Sequence, residues 1–221
     1  MAGPDGQGTQ RSPRAARSAN RQPGTPAPRR LPGTGTRHAR WLTAATIAAA
    51  SAWCAAVALR AGPSPLLPAL CYLAAIAVPL TISDVRHQTL PDKLTLPSYP
   101  AAAGLLGIAA IWAPGGDRRL LSAAAGLAAA FALYLLLACF RYGPGGGDVK
   151  LSGVLGLYLG WFGAPTLLAG LFAGFLLNAL SGTALIAAHR ATIRTRTPFG
   201  PFMLAGAMAA ILAFGLVGSI F

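Results

Sequence analysis

Two aspartates of this 221-residue sequence lie at the ends of long apolar stretches, where a carboxylate is costly to keep. They are Asp84, which follows Ser83, and Asp148, which follows the glycine run 145–147. The chain contains only five aspartates and no glutamate, so two carboxylates in such surroundings are a distinctive feature. Their default interpretation is functional, and two of them suggest a pair.

A pair of carboxylates can hydrolyse a peptide bond without a metal ion. One carboxylate takes a proton from the attacking water while the other, protonated, donates a hydrogen bond to the scissile carbonyl. Two carboxylates that lie close together cannot both ionise easily, so they share a proton and titrate as a unit. The glycines before Asp148 allow close approach of the backbone. Asp84 and Asp148 therefore predict an intramembrane aspartyl peptidase.

Each aspartate also has a structural interpretation when it is taken alone. Asp84 could form an ion pair with Arg86 or Lys150, and Asp148 could cap a helix that begins at Val149. Function is favoured because the two residues are predicted to emerge on one side of the membrane.

The remaining polar residues predict no second catalytic centre. Asp92 follows Pro91 and precedes a helical run, which predicts a helix N-cap, and Asp117 lies in a short polar loop. His87 is interpreted as a solvated loop residue. The three cysteines fall in apolar segments without a Cys-x-x-Cys motif, so no zinc site or disulfide framework is indicated.

Composition predicts an all-α membrane protein. Hydrophobic residues make up 54% of the chain and charged residues 10%, and the apolar residues form long blocks. The fifth block would be only about 18 Å long, against a hydrocarbon core of about 30 Å. That segment is therefore expected to be short or re-entrant, with Asp148 and Lys150 drawn below the membrane surface. Proline and glycine breaks divide the apolar region into about seven membrane segments: 41–59, 66–82, 94–112, 120–140, 151–162, 166–188 and 201–221.

Basic residues predict the orientation of the bundle. Residues 1–40 are rich in Arg, Pro, Gly and Ser and are expected to be a disordered cytoplasmic tail beside anionic lipid, whereas 41–221 form the membrane-embedded domain. The tail has no aromatic residue, and no nucleic-acid partner is expected. Of the 18 basic residues, all except Arg60, Arg118 and Arg119 are predicted to lie on the same side of the membrane as the tail. This asymmetry predicts a multi-pass protein of the inner (plasma) membrane, with the N-terminus cytoplasmic and the C-terminus outside.

Three sequence blocks resemble the type IV prepilin peptidase family, the bacterial membrane aspartyl peptidases with a Gly-x-Gly-Asp motif. The blocks are Asp84-Val-Arg-His-Gln-Thr-Leu-Pro-Asp-Lys-Leu-Thr-Leu-Pro97, Gly145-Gly-Gly-Asp-Val-Lys-Leu151 and Thr197-Pro-Phe-Gly-Pro-Phe202. They occur in the family's order, and the resemblance spans roughly residues 66–221.

The resemblance implies a role for each matching residue. Asp84 and Asp148 would be the catalytic aspartates, Gly145 and Gly147 would shape the active-site loop, and Lys150 would lie next to the active site. Family members remove the short basic leader from prepilin or pseudopilin-like proteins at the cytoplasmic membrane face, and so serve type IV pili or protein secretion. The third block has no expected role beyond starting the last helix.

The sequence departs from the longer members of the family. Those carry a cytoplasmic domain with paired Cys-x-x-Cys motifs between their first two spans, and residues 60–65 leave no room for it here. The longer enzymes also methylate the new N-terminus. We therefore expect a short-form peptidase without a cofactor for proteolysis, and S-adenosylmethionine would be needed only if the methyltransferase activity were present.

Two other functions remain open at the level of sequence. The aspartates could serve a proton- or cation-coupled transporter, although we see no inverted repeat and no carboxylate at mid-span. The chain could also be a non-catalytic assembly subunit of a pilus or secretion machine, which would tolerate loss of either aspartate.

Overall fold

The computed structural model describes residues 34–140, 143–188 and 198–216, with side chains from Arg40 onward. These residues contain no strand, which confirms the all-α prediction. Seven helices run along the chain: α1 (Thr34–Ala61), α2 (Leu67–His87), α3 (Asp92–Trp112), α4 (Gly116–Ala138), α5 (Gly146–Trp161), α6 (Ala164–Ala187) and α7 (Gly200–Ala210), the last continued by a π-helical turn (Ile211–Gly215).

Five of the helices are long and apolar enough to cross a membrane, namely α1 from Arg40 onward, α2, α3, α4 and α6. The protein is therefore a multi-pass membrane protein.

The chain divides into two units, residues 1–37 and residues 38–221. Of the first unit, only the backbone of 34–37 is described, as the first turn of α1. The helix thus begins before the predicted tail boundary at residue 40, because the sequence contains no proline between Pro32 and Pro63. The predicted disorder of residues 1–33 lies outside the described part and stays a prediction.

Helix α5 is the central helix of the membrane domain. Every residue from Leu151 to Trp161 is buried, as expected for a helix that is apolar on all sides. It is continuous over 16 residues, so the fifth segment is short rather than re-entrant. Its length of about 24 Å falls short of a hydrocarbon core of about 30 Å.

Glycines let α5 approach α4 closely. A Cβ atom placed on Gly126 would lie 2.5 Å from the carbonyl oxygen of Gly156 and 2.7 Å from the Cα atom of Gly160. No side chain fits between the two backbones, and small residues at helix interfaces are typical of membrane proteins. This contact fixes α5 against α4 and, with it, the position of Asp148 at the start of α5.

Candidate active site

Asp84 is held by the start of another helix. It lies in the last turn of α2 and is only 5% exposed. Its Oδ2 atom accepts a hydrogen bond of 2.8 Å from the backbone N–H of Gly200, the first residue of α7. The first N–H groups of a helix have no partner within the helix and carry a partial positive charge, which suits an anionic group.

The α7 start leaves no room for a side chain at position 200. A Cβ atom on Gly200 would lie 3.0 Å from Oδ2 of Asp84, so a larger residue would crowd the carboxylate. Pro201 follows in the first turn, as the sequence predicts. The contact between Gly200 and Asp84 was not predicted from the sequence, although Gly200 belongs to the third block of the family resemblance.

Asp148 is the third residue of α5 and is half-buried. Its Oδ2 atom accepts a hydrogen bond of 3.0 Å from the backbone N–H of Gly145, while its own N–H donates to the Gly145 carbonyl at 3.0 Å. The predicted helix start at Val149 is wrong, because α5 begins at Gly146. Asp148 therefore caps the helix from inside its first turn, so the structural and functional interpretations apply together.

The two carboxylates are bound in the same way, each through one of its two oxygens. Within the described residues, the Oδ1 atoms of Asp84 and Asp148 accept no hydrogen bond, whereas both Oδ2 atoms bind a backbone N–H. An oxygen that is not bound by the protein can accept or donate a proton to water and to a peptide carbonyl.

The loop after α2 brings the two aspartates to one place. Gln88 ends α2 in a left-handed conformation, with φ 51°, and its N–H donates to the Asp84 carbonyl at 2.8 Å. Leu90 then packs against the start of α5, where a Cβ atom on Gly147 would lie 2.9 Å from the Leu90 Cβ. Gly147 is therefore required sterically, and close packing of this loop joins the end of α2 to the start of α5.

Gly145 acts differently from Gly147. A Cβ atom on Gly145 would lie 3.5 Å from Oδ2 of Asp148, an ordinary van der Waals distance, and its φ of −70° suits any residue. Its contribution is the N–H bound to Asp148. The two predicted loop glycines thus serve the site by packing in one case and by hydrogen bonding in the other.

The pKa of Asp148 indicates that the two carboxylates interact. Burial raises the pKa of Asp148 from 3.8 to about 6; the Gly145 N–H lowers it, and the negative charge of Asp84 raises it. A carboxyl group in this state exchanges its proton near neutral pH, which suits acid–base catalysis.

Three aromatic rings from three helical regions support the site. Tyr134 of α4 is fully buried and stacks on Phe175 of α6 with ring centroids 5.3 Å apart. Phe199, the residue before Gly200, lies 5.4 Å from Phe175 and 6.0 Å from Tyr134. Tyr134 is also within electrostatic range of Asp148. The cluster therefore packs the residue before Gly200 against α4 and α6, and Tyr134 also interacts electrostatically with Asp148.

Lys150 lies near the site but binds Asp92. Its Nζ atom is 2.7 Å from Oδ1 of Asp92, and both side chains are exposed to solvent. The predicted N-cap role of Asp92 is wrong, because Pro91 in an extended conformation occupies the N-cap and Asp92 is the first residue of α3. Tyr99 of α3 also donates a hydrogen bond of 2.5 Å to the Lys150 carbonyl. These contacts join α3 to the first turn of α5.

Other predicted residues stand apart from the two aspartates. His87 is exposed at the end of α2, and Asp117 is exposed at the start of α4, at the opposite end of the bundle. Residues 141–142 and 189–197, with their basic side chains, lie outside the described part. Among residues that are described, no three His, Cys, Asp or Glu side chains stand together as a metal-binding group.

Comparison with known proteins gives a family match that contains both aspartates. The model of the type IV leader peptidase family matches residues 69–214. No solved structure matches the chain significantly.

Several curated proteins are similar to the chain over about 70% of its length, and each of the following is named prepilin leader peptidase/N-methyltransferase. The Bacillus subtilis protein is 33% identical over 161 residues, which are 72% of this chain and 60% of that protein. The Burkholderia pseudomallei protein is 35% identical over 167 residues, 70% of this chain and 48% of that protein. The Escherichia coli protein is 30% identical over 167 residues, which are 70% of this chain and 69% of that protein. The chain thus spans about half to two thirds of these relatives.

Proposed function

Because this chain belongs to the type IV leader peptidase family, we propose that it is an aspartyl endopeptidase that removes the leader peptide of prepilin-like proteins. Asp84 and Asp148 are the catalytic pair. The observation that carries this proposal is the matched binding of the two carboxylates, each of which has one oxygen on a backbone N–H and the other unbound by the described residues.

The pair works as one acid–base unit. One carboxylate is ionised and takes a proton from the attacking water, and the other donates a hydrogen bond to the scissile carbonyl as its oxygen becomes negative. The carbon–nitrogen bond then breaks, and a proton passes from the pair to the departing amine. Burial raises the pKa of Asp148 to about 6, with a smaller contribution from the negative charge of Asp84, so the pair gives up its proton at higher pH than free carboxylates do and its macroscopic pKa values belong to both residues.

The shortness of α5 supports a site close to the membrane boundary. Helix α5 begins at Gly146 and is about 24 Å long, and α7 begins at Gly200. Their first residues bind or carry the two carboxylates. A site at this depth reaches a peptide bond just before the hydrophobic helix of a membrane-inserted substrate.

The distribution of basic residues supports a cytoplasmic site in the inner membrane. Arg86 and Lys93 flank the α2–α3 loop, and two spans, α1 and α2, separate this loop in the sequence from the arginine-rich segment 1–40. We place the N-terminus in the cytoplasm and the C-terminus outside. The substrates are prepilin or pseudopilin-like proteins of a pilus or secretion system.

Proteolysis by this pair requires no metal or organic cofactor, since both proton transfers are made by carboxylates. We do not extend the proposal to methyl transfer. The curated relatives carry N-methyltransferase in their names, but the segment between α1 and α2 is only residues 62–66 in this chain.

The test is cleavage of a prepilin by the purified protein in lipid or detergent. We expect one cut at the leader junction, unaffected by a chelator and by serine or cysteine protease reagents. The absence of any cut, with several prepilins and a folded enzyme, would contradict the peptidase proposal. Loss of activity in EDTA with recovery in zinc would contradict the mechanism.

A further inference from the structure

Two adjoining cavities lie at the end of the bundle opposite the aspartates. They have volumes of about 300 Å³ and 210 Å³ and share Arg119 and Trp161. The first cavity is otherwise lined by Arg118, Ser122, Phe162, Gly163 and Gly215. The second cavity is also lined by Arg60. Its other lining residues are mainly apolar and include Leu66, Trp112 and Leu216.

The cavity walls carry positive charge and no carboxylate. Arg118 and Arg119 form no ion pair with any carboxylate of the described part. The guanidinium of Arg60 donates a 2.7 Å hydrogen bond to the Leu212 carbonyl, which holds this side chain at the end of α7. Asp117 is the nearest acidic residue in sequence, but it is exposed and lines neither cavity.

A buried donor lies between the two cavities. Trp161, the last residue of α5, is 2% exposed, and its Nε1 atom has no hydrogen-bond partner among the described residues. A buried N–H without an acceptor destabilises a folded protein, so such groups are rare. By contrast, Nε1 of Trp53 donates to the Met208 carbonyl at 3.0 Å. The indole N–H of Trp161 therefore points to an acceptor supplied by a ligand.

We propose that the two cavities bind the phosphate group of an anionic phospholipid. Arginine guanidinium groups bind phosphate oxygens with two parallel hydrogen bonds, and Trp161 adds a further donor. The start of α6 at Ala164, next to Gly163, adds the partial positive charge of a helix N-terminus.

The position favours a lipid over a dissolved ion. Phe162 and Leu66 give the cavities apolar walls, and the site lies at the ends of membrane-crossing helices, at the level of lipid headgroups. Trp112 and Trp161 both line the second cavity, and tryptophan is enriched at this level of the membrane. The glycerol backbone and first methylenes of a phospholipid would contact these walls while the phosphate meets the arginines.

Binding can be measured without proteolysis. Full-length protein in a neutral detergent is titrated with short-chain phosphatidylglycerol, with phosphatidylcholine of the same chain length, and with inorganic phosphate, while its melting temperature is followed. The variant is Arg118→Gln/Arg119→Gln. The charge-matched control is Arg40→Gln/Lys93→Gln, which removes two exposed cations at the other end of the bundle. The Trp161→Phe variant removes the indole donor and keeps an aromatic ring at this position.

We expect phosphatidylglycerol to bind wild type and the control equally, and Arg118→Gln/Arg119→Gln at least about tenfold more weakly. Trp161→Phe should weaken binding by about threefold to tenfold. Phosphatidylcholine should bind more weakly than phosphatidylglycerol, because its positively charged choline group would lie near the arginine side chains and be repelled by them.

Three results would overturn the proposal. These are equal weakening in the control, unchanged binding in Arg118→Gln/Arg119→Gln, and saturation by inorganic phosphate at the same concentration as by the lipid. The first would indicate diffuse attraction of lipid to cations, and the last would assign the site to free phosphate. Melting temperatures without lipid show whether each variant is folded.

Discussion

The two ends of the bundle recognise charge by different means. At one end, buried or half-buried carboxylates from α2 and α5 are held by backbone N–H groups of Gly145 and Gly200. At the other end, arginine side chains and the indole of Trp161 line two cavities. The first arrangement depends on where helices begin, and the second depends on donor groups of side chains.

This difference predicts how each end responds to substitution. Only a proline substitution removes a backbone donor directly, but other substitutions move the donor when they change the packing around it. The carboxylate end should therefore be sensitive to small changes of volume at Gly147 or Phe199, whereas ligand binding at the arginine end should respond to the loss of charge.

The largest effect is expected from the carboxylates themselves. Asp84→Asn and Asp148→Asn should each reduce leader cleavage at least about 100-fold, because an amide cannot transfer the proton. Asp117→Asn, an exposed residue at the arginine end, should cleave like wild type. Cleavage rates of purified, folded variants give the comparison. Near wild-type activity in either of the first two variants would break the assignment of the pair.

Next in size is the effect of a single methyl group at Gly147. Gly147→Ala would place its Cβ 2.9 Å from that of Leu90 and should cost about 1–3 kcal/mol of stability, with a loss of cleavage. Gly146→Ala is the matched control, since its Cβ would contact nothing within 4 Å. Leu90→Gly in the Gly147→Ala background removes the Leu90 Cβ and should restore part of the cleavage. If both alanine variants behave alike, the loop contact does not hold the aspartates together.

A smaller effect is expected in the pH dependence of stability. The pKa of Asp148 is about 6 in the folded protein and 3.8 ordinarily, so the folded state binds more protons between these values. Stability should therefore fall as pH rises from about 4 to 6. Asp148→Asn should raise the melting temperature by about 2 °C at pH 7 and should leave it unchanged below pH 4. The expected rise is small because the group is partly exposed. A variant that is less stable than wild type at pH 7 would contradict this sign.

The smallest effect is expected for the ion pair between Asp92 and Lys150. Both side chains are partly exposed, at 55% and 39% respectively, so a double-mutant cycle with Asp92→Asn and Lys150→Gln should give a coupling of about 0.2–1 kcal/mol. Asp92→Asn should cleave within about twofold of wild type. Abolished cleavage in Asp92→Asn would show that a third carboxylate takes part and would break the contrast between the pair and its surroundings.

The parts of the candidate site that depend on residue type could be predicted from the sequence. An isolated carboxylate beside apolar segments, a glycine run and apolar blocks of spanning length predicted Asp84, Asp148 and the helical bundle. The shortness of α5 also followed from its length in residues. These features depend on local composition, which is visible without the fold.

The remaining features depend on contacts between distant segments. Gly200 holds Asp84 through its backbone, and no side chain marks that role. The stacking of Tyr134, Phe175 and Phe199 unites residues from three segments of the chain. The N-cap assignment of Asp92 failed because Pro91 occupies that position and Lys150, distant in sequence, binds the carboxylate.

The central claim, that Asp84 and Asp148 form one titrating unit, can be tested by NMR of the carboxyl carbons. The chain has five aspartates and no glutamate, so labelling with carboxyl-¹³C aspartate yields five resonances, each assigned by an Asn variant. We predict that Asp148 titrates near pH 6 in wild type and at lower pH in Asp84→Asn, because a neighbouring negative charge has been removed. Asp117→Asn should leave its titration unchanged. An Asp148 titration that is the same in wild type and Asp84→Asn would contradict the pair.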